Sequence, residues 1–296
     1  MLRFTARVLR IGAAVLASAV ALPGGSAVAA APAPAGGLRV LATTTLLASL
    51  AADVGRGRAT VTSLLPVGAS PETYQPAPAD IVRVHEARLI VENGAGLERW
   101  LGAMLGGGAG ARIVTCSDGL PIVAANPHLW LDPVYAMHYV EAMRDGMIAA
   151  DPAGAAVYRA NAAHLDARLV RLVASIRAQI AKIPAANRTM IVFHNAWLYY
   201  DARFGLRTLG AIEEVPGSEP NAAHLARLID AARAARVRAI FAEPEYNPKL
   251  VDSVARSAGI ANVAVLYDDS VGTSPQTLDY ISMLETDTAT IVSALR

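Results

Sequence analysis

The stretch Val67–Pro76, VGASPETYQP, presents one carboxylate, Glu72, from a Pro- and Gly-punctuated loop that follows an apolar run. Five more polar residues recur in the same setting: His128 in ANPHLWLDP, His194 in IVFHNAW, Glu243 in IFAEPE, and Asp268 with Asp269 in VLYDDSVG. Taken singly, each has an ordinary structural explanation. A loop glutamate is usually solvated, a histidine beside an apolar run is usually a hydrogen-bonded core residue, and aspartates after a strand commonly cap the next helix. Together they supply imidazole nitrogens and carboxylate oxygens, the donors that divalent transition ions accept. Metal binding is the chemistry they could share. Glu243 is equally suited to ligate or to hold a histidine tautomer from behind. His85, His138, His164 and His224 fall inside helical patterns and are assigned to the surface.

Residues so far apart meet only if the elements between them arrange it. From Leu38 to Ala150, LRVLATTT, ATVTSLLP, RLIVENG and ARIVTC read as strands, with helical patterns in LLASLAADVG, PADIVRVHEA and LERWLGAML. Alternation of that kind implies right-handed crossovers and a mostly parallel sheet. Residues 151–184 change period. Leu165, Leu169, Leu172, Ile176, Ile180 and Ile183 form an apolar stripe, with Asp151 placed to cap the helix and Pro152 to open it. Such a helix would run about 50 Å and could connect two halves. Beyond Pro184 strand and helix patterns alternate again to the C-terminal helix. The expected fold is α/β: a first lobe over 38–150, a connecting helix over 151–184 and a second lobe over 185–296, with a cleft between them. Open α/β sheets bind ligands beyond the carboxyl ends of their strands, where these donors stand.

Residues 1–29 carry Arg3, Arg7 and Arg10, an apolar run from Ile11 to Leu22 and small residues before Ala30, the pattern of a cleavable secretory signal. Residues 30–37 read as a flexible start to the mature chain. Without the three leader arginines the formal charge falls from +1 to −2, and no basic block marks a nucleic-acid or anionic-lipid surface. Cys116 is the only cysteine, which excludes an intramolecular disulfide and leaves no cysteine near the cleavage point to take a lipid. It reads as a small buried apolar residue. The expected setting is the periplasm.

In chain order, VGASPETYQP, ENGAGLERW, NPHLWLDP, VFHNAWLYYDARFG and LYDDSVG resemble five blocks of the zinc and manganese solute-binding proteins of bacterial ABC importers. The likeness covers essentially the whole mature chain. It implies a rigid two-lobe fold with a long connecting helix, no catalytic residues, and a transported Zn2+ or Mn2+ ion held by four side chains. Carried over by position, the donors are Glu72 and His128 from the first lobe and His194 and Asp269 from the second. Asp269 matches as the residue before Ser270; Asp268 is the alternative and Glu243 the supporting partner. The implied partners are the ion and the membrane permease of an ABC importer, met by a monomer.

Glu72 departs from the pattern, because many zinc-binding members carry His there, whereas typical manganese binders carry Glu at the position of His194. Two ionised carboxylates with two neutral imidazoles balance a dication. A two-toothed glutamate admits more than four bonds, which suits manganese, yet zinc has the greater intrinsic affinity for N/O donors. Zinc is therefore favoured. The rival functions are a zinc hydrolase using Glu72 or Glu243 as general base, which lacks any HExxH or GxSxG signature, and a siderophore-type chelate binder using Trp130, Trp197 and nearby tyrosines. A surface adhesin is disfavoured by the missing lipid site.

Overall fold

The computed structural model describes residues 37–106 and 110–296. The signal-like residues 1–29 and nearly all of the 30–37 tail lie outside the described residues. The first half runs β1 (Leu38–Ala42), α1 (Thr45–Gly55), β2 (Ala59–Ser63), α2 (Pro78–Glu86), β3 (Leu89–Glu92), α3 (Leu101–Met104), β4 (Arg112–Thr115) and α4 (Pro133–Ala150). After α5 (Ala155–Ile180), the second half runs β5 (Thr189–Val192), α6 (Leu198–Phe204), β6 (Arg207–Ala211), α7 (Ala222–Ala235), β7 (Ala239–Ala242), α8 (Pro248–Ala258), β8 (Asn262–Val265) and α9 (Tyr280–Leu295).

Each half contains a four-stranded, wholly parallel sheet, in the orders β2-β1-β3-β4 and β6-β5-β7-β8. The halves thus share one topology without a recognisable repeat in sequence. Strand side chains alternate between two apolar layers, as a sheet covered on both faces requires. Leu38, Val40, Leu89 and Val91 face inward, as do Met190, Val192, Ala239 and Phe241, while Leu41, Ile90, Ile191 and Ile240 face separate outer clusters. The inward residues of both sheets meet α1, α4, α5 and α9 in one continuous core. The two lobes are welded along this core, so the connecting helix is only part of what joins them.

Two details differ from the sequence expectation. The long helix begins at Ala155, after a short 3-10 turn at Pro152–Gly154, and ends at Ile180, about 39 Å of helix. Asp151 makes no helix cap; its carboxylate accepts from Arg58 Nε at 2.7 Å and from the Tyr158 hydroxyl at 2.7 Å, tying the turn to the start of β2. Secondly, Pro133–Ala150 forms a full helix, capped by Asp132 with Pro133 in its first turn, that pairs with α5 as a helical hairpin. Its inward stripe of Ala136, Tyr139, Val140, Met143 and Met147 shows the helical period.

Helix α4 lies close against β4. A Cβ added at Gly146 would collide with the branched side chain of Val114, whose own Cβ is held by the strand. Gly146→Ala should therefore destabilise the fold by about 1–3 kcal/mol, although alanine is the better helix former. Urea denaturation of the two proteins checks this, and an equal or higher midpoint for the variant would count against the packing described.

Candidate metal centre

All the sequence-singled donors lie beyond strand carboxyl ends, facing the seam between the lobes. Glu72 sits in the long connection from β2 to α2. The preceding Pro71 carbonyl accepts the Trp100 indole N–H at 3.0 Å, and Gly68 N–H donates to Ser270 Oγ of the other lobe at 3.0 Å. His128 follows β4 at the end of a loop in which Ala124 and Ala125 adopt left-handed φ values of 51° and 55°. Such strain persists only when the surroundings hold it. Here the Tyr199 hydroxyl from the second lobe accepts Val123 N–H at 3.0 Å and donates to Asn126 O at 2.8 Å.

Each imidazole is oriented from behind. Asn126 Oδ1 accepts both the backbone N–H and the Nδ1–H of His128, each at 3.0 Å, while its Nδ2 donates to Asn195 O at 2.6 Å. On the other side, the two oxygens of Glu243 accept His194 N–H at 3.1 Å and Nδ1–H at 2.7 Å. With both Nδ1 atoms committed as donors, both Nε2 atoms turn toward the seam.

There the donors converge. The two Nε2 atoms are 3.0 Å apart. Asp269 Oδ1 lies 3.6 Å from His128 Nε2 and 3.9 Å from His194 Nε2; Glu72 Oε2 lies 3.9 Å and 3.7 Å from the same atoms. Four ligands bonded tetrahedrally at 2.0–2.1 Å stand about 3.3 Å from one another. Both oxygens of Asp269 and Oε2 of Glu72 are buried without a hydrogen-bond partner among the described residues. Buried carboxylate oxygens are costly unless a cation or donor meets them. The donor set and spacing therefore fit a divalent ion.

Asp268, the alternative donor, occupies the opposite side of His194. Its Oδ2 is 4.0 Å from Nδ1 and accepts from Trp197 Nε1 at 3.2 Å, and its carbonyl accepts from Trp130 Nε1 at 2.6 Å. The two tryptophans are thereby placed as supports of the Asp268–Asp269 loop. Burial and neighbouring Glu243 push the Asp268 carboxyl well above the usual carboxylate range. For Asp269, the facing His128 and His194 imidazoles outweigh burial and hold its carboxyl below that range. Burial raises Glu72, against the pull of both histidines. His194 is disfavoured as a cation by burial, but Glu243, Asp268 and Asp269 overcome this and raise it well above 6.5.

Several contributors escaped the sequence reading. ENGAGLERW supports both first-lobe donors: Glu98 accepts Thr43 O–H and Asn93 N–H at 2.7 Å and Gly94 N–H at 3.0 Å, Asn93 Nδ2 donates to Pro127 O at 3.0 Å, and Trp100 holds Pro71. Burial pushes Glu98 up to about 7. Asn126 is visible in retrospect as an Asn two residues before His128, the spacing of an Asx turn. Glu213, at the end of β6, meets the strand-end criterion once the strand is seen to stop at Ala211 rather than run through IEE. Away from the centre, His85 and His164 are exposed, whereas His138 and His224 bond to the carbonyls of Asp118 and Ala211 at 2.8 Å. Cys116 is fully buried.

Residues 40–294 match the family described as ZnuA, zinc-uptake complex component A, periplasmic. The chain is 30% identical over 266 residues to the manganese-binding lipoprotein MntA of Halalkalibacterium halodurans, covering 88% of this chain and 89% of that protein. It is 29% identical over 265 residues to the iron-binding protein YfeA of Yersinia pestis, covering 86% and 85%. In fold it is similar to the periplasmic zinc binding protein TroA from Treponema pallidum, with TM-score 0.82 and 22% identity over 88% of this chain and 99% of that one. It is also similar to the Mn-bound periplasmic metal binding protein from Candidatus Liberibacter asiaticus, with TM-score 0.79 and 24% identity over 88% and 100%.

In metal-free protein, His194 should remain an imidazolium at neutral pH, donating Nδ1–H to Glu243 and Nε2–H to His128. Its folded pKa lies above the unfolded value, so its contribution to stability is complete below about pH 6.5 and lost as pH rises through the folded pKa. Ring 15N shifts followed against pH check this; Glu243→Gln should shift the titration downward, and a neutral His194 at pH 7 in the wild type would contradict it.

Proposed function

The chain belongs to the family of periplasmic zinc-uptake components, and on that ground we propose that it captures one divalent transition-metal ion between its lobes and delivers it to the permease of an ABC importer. One observation carries this reading: His128 and His194 hold their Nε2 atoms 3.0 Å apart at the lobe seam, and Glu72 and Asp269, from two further loops, each bring a carboxylate oxygen to within 3.6–3.9 Å of both. Glu72 and Asp269 together balance the charge of a dication. Four protein donors fill a tetrahedral sphere, which leaves no position for a substrate or an activated water and supports carriage of the ion over catalysis.

Zinc is the favoured cargo on intrinsic affinity, and the second oxygen of Glu72 allows manganese as a larger-coordination alternative. Loading replaces the proton between the two Nε2 atoms, so binding at neutral pH should release protons. The leader-like pattern of residues 1–29 supports export to the periplasm, and the buried position of Cys116 leaves it unsuited to lipidation. We take the working form to be a monomer. Because the donors are divided between lobes held by a shared core, release requires the permease to move one lobe against the other.

Titrating metal-stripped protein with zinc should give one ion per chain, and with manganese weaker binding at the same site. Glu72→Ala should weaken zinc binding by more than the about 10–100-fold typical of losing an outer partner, while Glu72→His should keep zinc and lower manganese affinity. Wild-type affinity for both ions in Glu72→Ala would remove Glu72 from the donor set. A covalent crosslink between the lobes should preserve binding and abolish uptake by cells; undiminished uptake would overturn the delivery step.

A further inference from the structure

Five carboxylates surround the two histidines: Glu72 and Asp269 approach the Nε2 atoms, Glu243 orients the His194 ring, Asp268 is held by Trp197, and Glu213 does none of these. Glu213 lies two residues beyond β6, where its N–H donates to Phe193 O at 2.8 Å and sets it beside His194. The residue is 5% exposed, yet Oε2 has no hydrogen-bond partner among the described residues. Ligand atoms within 4.8 Å of one another group Glu72, His128 and His194, or His194 with Asp268 and Asp269, or Glu243 with Glu245 and Asp268; Glu213 joins none of these groups. Burial raises its carboxyl, while His194, Glu243 and Glu72 act on its charge.

Its loop returns over Glu72. Gly217, four residues beyond Glu213, has φ of 77°. A Cβ there would lie 2.6 Å from Thr73 Cγ2, so glycine is required for the loop to touch the residue after Glu72. Glu72 is also the one donor open to solvent, its side chain 18% exposed against 1–2% for His128, His194 and Asp269. The path of least burial into the centre therefore passes Glu72, whose following residue the Glu213 loop touches. Keeping a carboxylate oxygen buried and unpaired is unfavourable unless something positive visits it.

We propose that Glu213 is a transit ligand, a carboxylate that binds the cation between solvent and the four-donor centre during loading and release. This rests on the metal-carrying reading above. The role is kinetic. A stepping carboxylate lowers the barrier in both directions, because the ion exchanges bonds one at a time instead of leaving four donors for water. A charge acting only through its field would behave differently, since removing it would slow association and speed dissociation.

The test is stopped-flow kinetics with zinc ion alone, read by the fluorescence of Trp130 and Trp197 and by chelator-driven release. In Glu213→Gln, association and dissociation should each slow by about tenfold, equivalent to ~1.4 kcal/mol on each barrier. Glu213→Asp, which keeps the carboxylate, should recover part of both rates, and matched melting curves establish that all variants are folded. Wild-type rates in Glu213→Gln, or slower association with faster dissociation, would overturn the proposal. Failure of the wild type to bind zinc one-to-one would instead overturn the metal-carrying reading itself.

Discussion

The pairing of His194 with Glu243 is the interaction on which the centre depends. A carboxylate buried behind one imidazole both orients that ring and charges it, through two hydrogen bonds at 2.7 and 3.1 Å. Asp268 and Asp269 can then crowd the same ring because it carries positive charge that burial alone would have removed. Positive charge on the ring, or a cation beside it, offsets the acids buried around it.

That arrangement demands lobes that hold their distance to a fraction of an ångström. The fold provides this with one continuous apolar core beneath the centre and a set of hydrogen bonds across the seam. Tyr199 clasps the His128 loop, Asn126 reaches Asn195, Trp130 reaches the Asp268 carbonyl, and Ser270 receives Gly68. Every one of these joins a loop bearing a donor in one lobe to a segment beside a donor in the other. Seam rigidity and donor geometry are therefore the same property, and a motion that frees the ion must break several such bonds together.

Much of this was legible in the residues. Strand periodicity with intervening helices specified two α/β lobes, and the apolar stripe from Leu165 to Ile180 specified the long helix. Pro133–Ala150 was opaque because its polar and apolar residues are less sharply segregated, and the Asp-Pro that opens it reads equally well as the end of a loop. The candidate donors come from asking which polar residues follow strands, a rule that needs the strand end, and at Glu213 that end, Ala211, is given by the structure. Sequence also could not separate Asp268 from Asp269 physically. Adjacent residues in a loop can face opposite sides of one ring, and only the fold shows which oxygen meets Nε2. Asn126, Asn93 and Glu98 were hidden for another reason: each makes hydrogen bonds to backbone atoms, which leave no trace in residue type.

The final helix has a consequence for the order of assembly. Val271 N–H bonds to Thr45 Oγ1 and Tyr280 N–H bonds to Ser49 Oγ, pairings 226 and 231 residues apart that tie the segment leading into α9 to α1, while the Tyr280 hydroxyl bonds to Trp130 O. Contacts spanning nearly the full length are slow to form. Closing the seam thus depends on pairings between distant parts of the chain, so the ion site is completed only once both halves have docked.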